Sequence, residues 1–300
     1  MPRVLKWGLA IVGVLVVVLG VAVGGAYALS SHRMAKRYTV ADESVPVGTD
    51  SATLARGRHI AVTRGCADCH GADFGGATFI DGMPFARLSG SNLTTGKGGV
   101  ASGMTVADWV RAVRHGVGRE GRALLFMPSQ EFNALSDADL GALVSYLQTV
   151  APVDRTGPAN AIGPIGRALY LAGKVPLVPA EVIDHTAPRK PSPAVGRTVE
   201  YGQYLAVGCT GCHGASFAGG PIPGTPPEFP AAANLTPHAT GLAAWTEADF
   251  VRALRTGRRP DGRELKAEMP WKNFGKMTDD ELAAIWMYLR TLPPQPTPKG

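Results

Sequence analysis

Hydropathy along the chain is uneven. Positions 7–29 form one apolar run, WGLAIVGVLVVVLGVAVGGAYAL, 23 residues without a charge. At 1.5 Å per residue such a run reaches across a hydrocarbon core about 30 Å thick. Arg3 and Lys6 precede it, and His32, Arg33, Lys36 and Arg37 follow. A cleaved signal peptide is the competing reading, with Ala26-Tyr27-Ala28 as the processing site. Signal-peptide apolar regions run about 7–15 residues, however. The pattern therefore predicts an uncleaved helical anchor within residues 1–37 and a short tether over 38–52.

Beyond the anchor, apolar positions return with helical spacing. Leu140, Leu143, Val144 and Leu147 form one stripe, and Leu282, Ile285, Trp286 and Leu289 another, each at i, i+3, i+4, i+7. Start signals precede these and two other helices: Thr105 with Asp108, Ser136 with Asp139, Thr246 with Asp249 and Thr278 with Glu281. All four follow the pattern in which a hydroxyl caps the helix and an acidic residue reaches back. A further helix is predicted over 53–66 and over 199–209. No segment keeps a strand's two-residue alternation, so the expected class is all-α.

These signals are duplicated. Asn92-Leu93-Thr94 returns as Asn234-Leu235-Thr236, Asp108-Trp109-Val110-Arg111-Ala112 as Asp249-Phe250-Val251-Arg252-Ala253, and Tyr146-Leu147 as Tyr288-Leu289. The repeat predicts two modules, 53–150 and 197–292, each of three helices in irregular loops. Between them lies a Pro/Gly-rich linker (151–196) with a helical patch near Ile165, read as packing across both modules. A Pro-rich tail (293–300) follows. The unit is too long for a solenoid period.

Composition narrows the class. Hydrophobic residues make up 45% and charged residues 18%, the latter below the usual ~25%. A wholly disordered chain, a collagen, a coiled coil and a multi-span transporter are excluded. Aromatics at 7% are sparse for two self-sufficient cores, which fits cores filled by a prosthetic group.

The cysteines name that group. All four fall in two segments, Cys66-Ala67-Asp68-Cys69-His70 and Cys209-Thr210-Gly211-Cys212-His213. C-x-x-C-H is the signal for covalent c-type haem attachment. One helical turn points both sulfurs at the two vinyl groups of a porphyrin and leaves the next imidazole under the iron as proximal ligand. A zinc site would need the two pairs to converge or further ligands nearby, and a redox dithiol has no use for the trailing histidine twice. The chain is thus expected to carry two covalent haems, through Cys66, Cys69 and His70 and through Cys209, Cys212 and His213.

Met127 and Met269 are the candidates for the opposite axial position. Each precedes a proline, and they lie 57 and 56 residues after His70 and His213. Proline holds the preceding residue extended. Met83 is a minor rival, while Met104, Met277 and Met287 read as packing residues. His59, His115 and His238 lack a repeated partner and read as packing or surface groups. Asn92, Asn234, Arg122 and Arg263 are candidates for haem propionates, with loop capping as the alternative for them.

With these residues in view, the chain resembles a duplicated class I cytochrome c. It also resembles the cytochrome c subunits of bacterial membrane-bound dehydrogenases for alcohols, gluconate or nicotinate. The likeness rests on C-x-x-C-H, Asn-Leu-Thr, the helix Trp245-Thr246-Glu247-Ala248-Asp249-Phe250-Val251-Arg252-Ala253-Leu254-Arg255-Thr256-Gly257, a Gly-Arg, a Met-Pro and the last capped helix. Those subunits commonly carry three haems and a C-terminal anchor, whereas this chain has two motifs and an N-terminal one.

The resemblance implies a dihaem electron carrier rather than an enzyme. Its partners would be a dehydrogenase subunit, an oxidase or a soluble cytochrome. Because c-type haem attachment occurs on the exported side in bacteria, the body is expected on the periplasmic face of the cytoplasmic membrane, held by a single pass. A dehydrogenase subunit is one alternative and a dihaem peroxidase a weaker one. A cysteine-ligated thiosulfate dehydrogenase is excluded, because no fifth cysteine exists. The formal charge of +6 sits mostly in the anchor flanks and linker. No basic stripe interleaved with aromatics points to nucleic acid.

Overall fold

The computed structural model describes residues 2–189, 191–226 and 228–298. Met1, Lys190, Pro227, Lys299 and Gly300, which fall in the expected anchor, linker, second module and tail, lie outside the described residues.

The apolar run forms the centre of α1 (Arg3–Met34), which is long and apolar enough to cross a membrane and is exposed along almost its whole length. Residues 38–50 are not a free tether. Tyr38 N–H donates to the Gly121 carbonyl, and Gly48 N–H donates to Ser145 Oγ. Val45 is buried in the first core. Glu43 gathers Arg114, His115 and Arg189.

The first half continues with α2 (Ser51–Thr63), α3 (Cys66–His70), β1 (Ala77–Gly82), β2 (Ala86–Gly90), α4 (Val106–His115), α5 (Ser129–Phe132) and α6 (Asp137–Leu147). Next come β3 (Ala161–Ile162), α7 (Pro164–Leu171) and a 3-10 turn, Pro179–Glu181. The second half holds α8 (Val199–Ala206), a 3-10 turn (Val207–Cys209), α9 (Thr210–His213), α10 (Glu247–Thr256), α11 (Trp271–Phe274) and α12 (Asp279–Thr291).

The all-α expectation needs correction. β1 pairs antiparallel with β2, and β2 with β3, so the first half carries a three-stranded sheet. The strands are short, and β1 is bulged between Thr78 and Ile80, which breaks the two-residue alternation that would have revealed it. The linker reading also changes. β3 extends the sheet of the first half, and Tyr170, Val175, Leu177 and Val178 join Ala86, Leu88 and Val117 in one buried cluster. The linker thus packs mainly on the first half, reaching the second where Gly224 lies against Lys174 and Val175.

In each half the first helix crosses the last at a glycine. A Cβ on Gly57 would stand 2.0 Å from the Ala142 carbonyl oxygen, and one on Gly202 would stand 1.9 Å from that of Ala284. The stripes at Leu140 and Leu143 and at Leu282, Ile285 and Leu289 fill the cores behind these crossings. Fully burying each such side chain contributes roughly 1.5–3 kcal/mol. Three of the four expected capping boxes form, at Thr105, Thr246 and Thr278. At Ser136 only the hydroxyl half forms. The Asp139 carboxylate is engaged by Arg56 and Tyr204 instead.

The halves meet through reciprocal contacts. Gly57 and Gly202 occupy equivalent places, which aligns Arg56 with Tyr201 and His59 with Tyr204. Arg56 donates to the Tyr201 hydroxyl (3.3 Å), so these equivalent positions touch each other. His59 meets Glu281 (2.7 Å), and Tyr204 donates to Asp139 (2.6 Å), two further equivalents. Arg56 also forks onto Asp139 and reaches Glu281 at 3.0 Å. Repeat-equivalent residues thus face one another about a pseudo-two-fold.

Candidate cofactor sites

The first C-x-x-C-H segment is its own short helix because Gly65, in the left-handed region (φ 67°), ends α2 and starts α3. The expected single helix over 53–66 is therefore broken. In the second copy a 3-10 turn carries the chain from α8 into α9 without that break.

Each histidine is oriented from behind. His70 Nδ1 donates to the Ser91 carbonyl at 2.8 Å, and His213 Nδ1 donates to the Ala233 carbonyl at 2.7 Å. This fixes the tautomer and leaves Nε2 with its lone pair free for a metal. Burial lowers the pKa of both rings, partly offset by the same carbonyl bonds. Both imidazoles are therefore neutral, the ligating form.

The thiols point away from redox chemistry. Burial pushes Cys66 up to about 12 and Cys69 and Cys209 up to about 11. A reactive dithiol needs a depressed pKa. All four cysteines are free of disulfides. No group of three or more His, Cys, Asp or Glu suited to a metal occurs among the described residues.

Beside α3 lies a cavity of about 340 Å³. Cys66, His70 and Met127 all line it, with Trp109, Val113, Leu143 and Leu147 among its apolar walls. The exposed side chains of Arg119, Glu120 and Arg122 stand at its mouth. An apolar slot with a thiol and an imidazole at one end and charged groups at its opening fits a haem. The donors, the void and the polar rim each match a part of that group. Arg64 also lines the cavity, and its Nη1 donates to the Leu205 carbonyl of the second half (3.2 Å).

Met127 and Met269 sit in matching turns. Each lies just before the proline that caps the next short helix, and each carbonyl accepts a 2.7 Å bond from the N–H two residues on. Met269 and Cys209 both pack on the second core. Met104 packs on the first core and, like Met127, lines the cavity, while Met277 is buried in the second core. Met83 is exposed on the β1–β2 turn, outside the cavity lining.

Of the propionate candidates, the asparagines hold loops. Asn92 Nδ2 donates to the Val153 and Arg155 carbonyls, while its Oδ1 accepts from Thr94. Asn234 does the same with Gln295 and Thr236. Arg122 lies at the cavity mouth, and Arg263 is paired with Asp261.

Two more repeated features were not read from the sequence. Phe74 and Phe217 both adopt positive φ, 56° and 59°, a strained position for a bulky residue. Each ring packs edge-on to the tyrosine of its last helix, Tyr146 or Tyr288. The short helix of each half also abuts the other half's motif. Asn273 donates to Asp68 at 2.6 Å, and a Cβ on Gly211 would stand 2.2 Å from Glu131 Oε1. Burial lifts the Glu131 carboxyl to about 7, with Arg64 pulling the other way. The signal for these contacts lay in the repeat itself, at aligned positions where the copies differ in polar character: Arg56/Tyr201, His59/Tyr204, Asp68/Gly211 and Glu131/Asn273.

Comparison with known proteins agrees with this geometry. The chain is 28% identical over 279 residues to the cytochrome c subunit of the alcohol dehydrogenase (quinone) of Komagataeibacter europaeus, covering 84% of this chain and 58% of that one. It is 28% identical to the gluconate 2-dehydrogenase cytochrome c subunit of Pantoea cypripedii (81% and 60% covered). It is 26% identical to the fructose dehydrogenase cytochrome subunit of Gluconobacter japonicus (84% and 55%). The chain thus spans little more than half the length of these relatives. Residues 54–151 and 199–293 match the family described as cytochrome c, and the chain belongs to the cytochrome c family.

Proposed function

We propose that the chain is a dihaem cytochrome with His/Met ligation at both irons, through His70 and Met127 and through His213 and Met269. The modules would be residues 53–150 and 197–292, and the cofactors two covalent haems. The observation that carries this reading is the cavity shared by Cys66, His70 and Met127, with a matching methionine turn in the second half. Bound haem iron supplies reversible one-electron chemistry, and methionine ligation raises its potential relative to a second histidine.

The residues of the chain do the rest. The carbonyls of Ser91 and Ala233 hold the imidazoles in the ligating tautomer. Pro128 and Pro270 restrict the methionine turns. Arg119 and Arg122 stand where negative propionates would meet the solvent. With a histidine and a methionine holding each haem, no open position would remain for a substrate, which favours a carrier over a peroxidase.

Met127→Ala and Met269→Ala are each expected to remove one long-wavelength methionine–ferric band, and an unchanged spectrum would overturn that ligand choice. Intact-mass analysis is expected to show two haems.

The partner reading is a dehydrogenase, with the chain as its electron outlet on the periplasmic face of the membrane. The names of the relatives support it. Gentle detergent extraction followed by mass analysis tests it. Recovery with a dehydrogenase is the expected result, and recovery alone would favour a free carrier.

A further inference from the structure

The body is fastened to α1 at a definite depth. Trp7 and Tyr27 stand near the two ends of the apolar run. Twenty residues of helix rise about 30 Å, the thickness of the hydrocarbon core. Trp and Tyr concentrate at the two membrane interfaces, so Tyr27 marks the level at which the body begins. Arg167 of α7 stacks on the Tyr27 ring, its guanidinium carbon 4.4 Å from the centroid. The same guanidinium donates to Ser30 Oγ (2.6 Å) and Ser31 Oγ (2.8 Å). Arg33, on the next turn, pairs with Glu181 at 2.7 Å and lies 4.4 Å over the Tyr170 ring.

Helix α7 is therefore held at the interface, and it does not stand there alone. The β1–β2 turn leans on its first turn, with Gly163 N–H donating to the Phe85 carbonyl (2.8 Å) and Ile165 N–H to the Pro84 carbonyl (3.3 Å). Two large apolar side chains emerge from this joint. Met83 is 56% exposed and Ile165 49% exposed. Apolar side chains beside a cationic residue, on an element clamped at interfacial depth, are the chemistry of a surface that enters the headgroup layer.

We propose that α7 and the β1–β2 turn form a lipid-contacting surface, with Met83 and Ile165 entering the boundary between headgroups and acyl chains of the bilayer that α1 spans. The proposal rests on reading α1 as a membrane anchor. It also sets the depth of the first cofactor site. Tyr38, four residues beyond α1, is bonded to Gly121 at 2.8 Å, and Arg37 bridges Arg122. The mouth of the first cavity is thus tied to the chain just beyond α1, which places it towards the membrane end of the molecule.

The test uses the full chain with its haems, in vesicles of phosphatidylcholine and phosphatidylglycerol doped with a phosphatidylcholine that carries a diazirine high on one acyl chain. After illumination, lipid adducts are mapped by peptide mass analysis. Adducts on α1 report the anchor, and adducts at Met83 and Ile165 report the proposed surface. The expected result is adducts at both, with those at Met83 and Ile165 well above those at the more exposed Val195 (74%). In a Met83→Glu/Ile165→Glu variant the body adducts should fall to the Val195 level while α1 labelling is unchanged. Labelling confined to α1 would overturn the proposal and leave the anchor standing. An unlabelled α1 would overturn the anchor reading itself.

Discussion

The two halves of the molecule solve one problem with different surroundings. The first carries the long apolar helix α1, the sheet and the linker helix; among the described residues the second carries none of these. Yet both keep the glycine crossing at Gly57 or Gly202, the capped second helix, the strained phenylalanine, the asparagine staple and the carbonyl behind the histidine. What they share is an imidazole fixed by a carbonyl at the end of each C-x-x-C-H helix and a matching methionine turn. What they do not share concerns where the site sits and what it faces.

The largest effect that would break this comparison comes from the attachment residues. Replacing Cys66 and Cys69 with alanine is expected to remove one covalent haem and leave the 340 Å³ cavity unfilled. Replacing Cys209 and Cys212 should remove the other and leave the first site intact. Intact mass and haem staining read both, and loss of both haems from either variant would show that the halves do not load independently.

Next in size is the joint between them. Arg56→Ala leaves the Asp139 and Glu281 carboxylates without their shared cation and should cost about 3 kcal/mol. Calorimetry is expected to show one transition separating into two. A single transition at an unchanged temperature would mean that the apolar cores alone hold the halves together.

The glycine crossings compare the halves directly. Gly57→Ala and Gly202→Ala each drive a methyl into a carbonyl at 2.0 and 1.9 Å. Overpacking of this kind costs typically 1–3 kcal/mol, so both should lower the melting temperature to a similar extent. A much smaller effect of Gly57→Ala would show that the sheet and linker of the first half absorb the shift.

The smallest effect concerns a place where equivalent contacts across the joint differ in charge. Glu131 faces the second motif, while its equivalent Asn273 faces the first. The Glu131 carboxyl is lifted from the ordinary 4.5 to about 7, chiefly by burial. The folded form therefore keeps a proton that the unfolded chain releases, and stability falls as pH rises between those values. Glu131→Gln should flatten that slope, measured as melting temperature against pH. Acid brings the opposite trend. Glu281 is buried, but His59, the Thr278 N–H and Arg56 outweigh the burial and hold it at about 2. Its contribution is full above about 4.5 and is lost as pH falls towards 2.

Much of this was legible in the chain. The capping pairs place four helix starts, the doubled spacing aligns Met127 with Met269 in matching turns, and the C-x-x-C-H segments fall at the short helices α3 and α9. The sheet was not legible, because three short strands, one of them bulged, leave no alternation to count. The fate of Asp139 was hidden as well. Its spacing from Ser136 reads as a capping box, but a cation from a helix about eighty residues away claims the carboxylate. Local pattern reports local bonds, and long-range competition for the same side chain leaves no mark in it. The joint itself was half-written. A helix that touches its own copy across a two-fold needs complementary rather than identical residues, so the mismatches between repeats carried the information.

The clamp between α1 and the linker also shapes how partners are met. A domain on a floppy stalk sweeps a wide volume, and its effective concentration at any target falls steeply with the length of the stalk. Here the paired arginines Arg33 and Arg167 remove that sweep. The body gives up reach and keeps a constant bearing. On the reading of α1 as a membrane anchor, a partner in the same bilayer would search in two dimensions and meet the same face at every encounter.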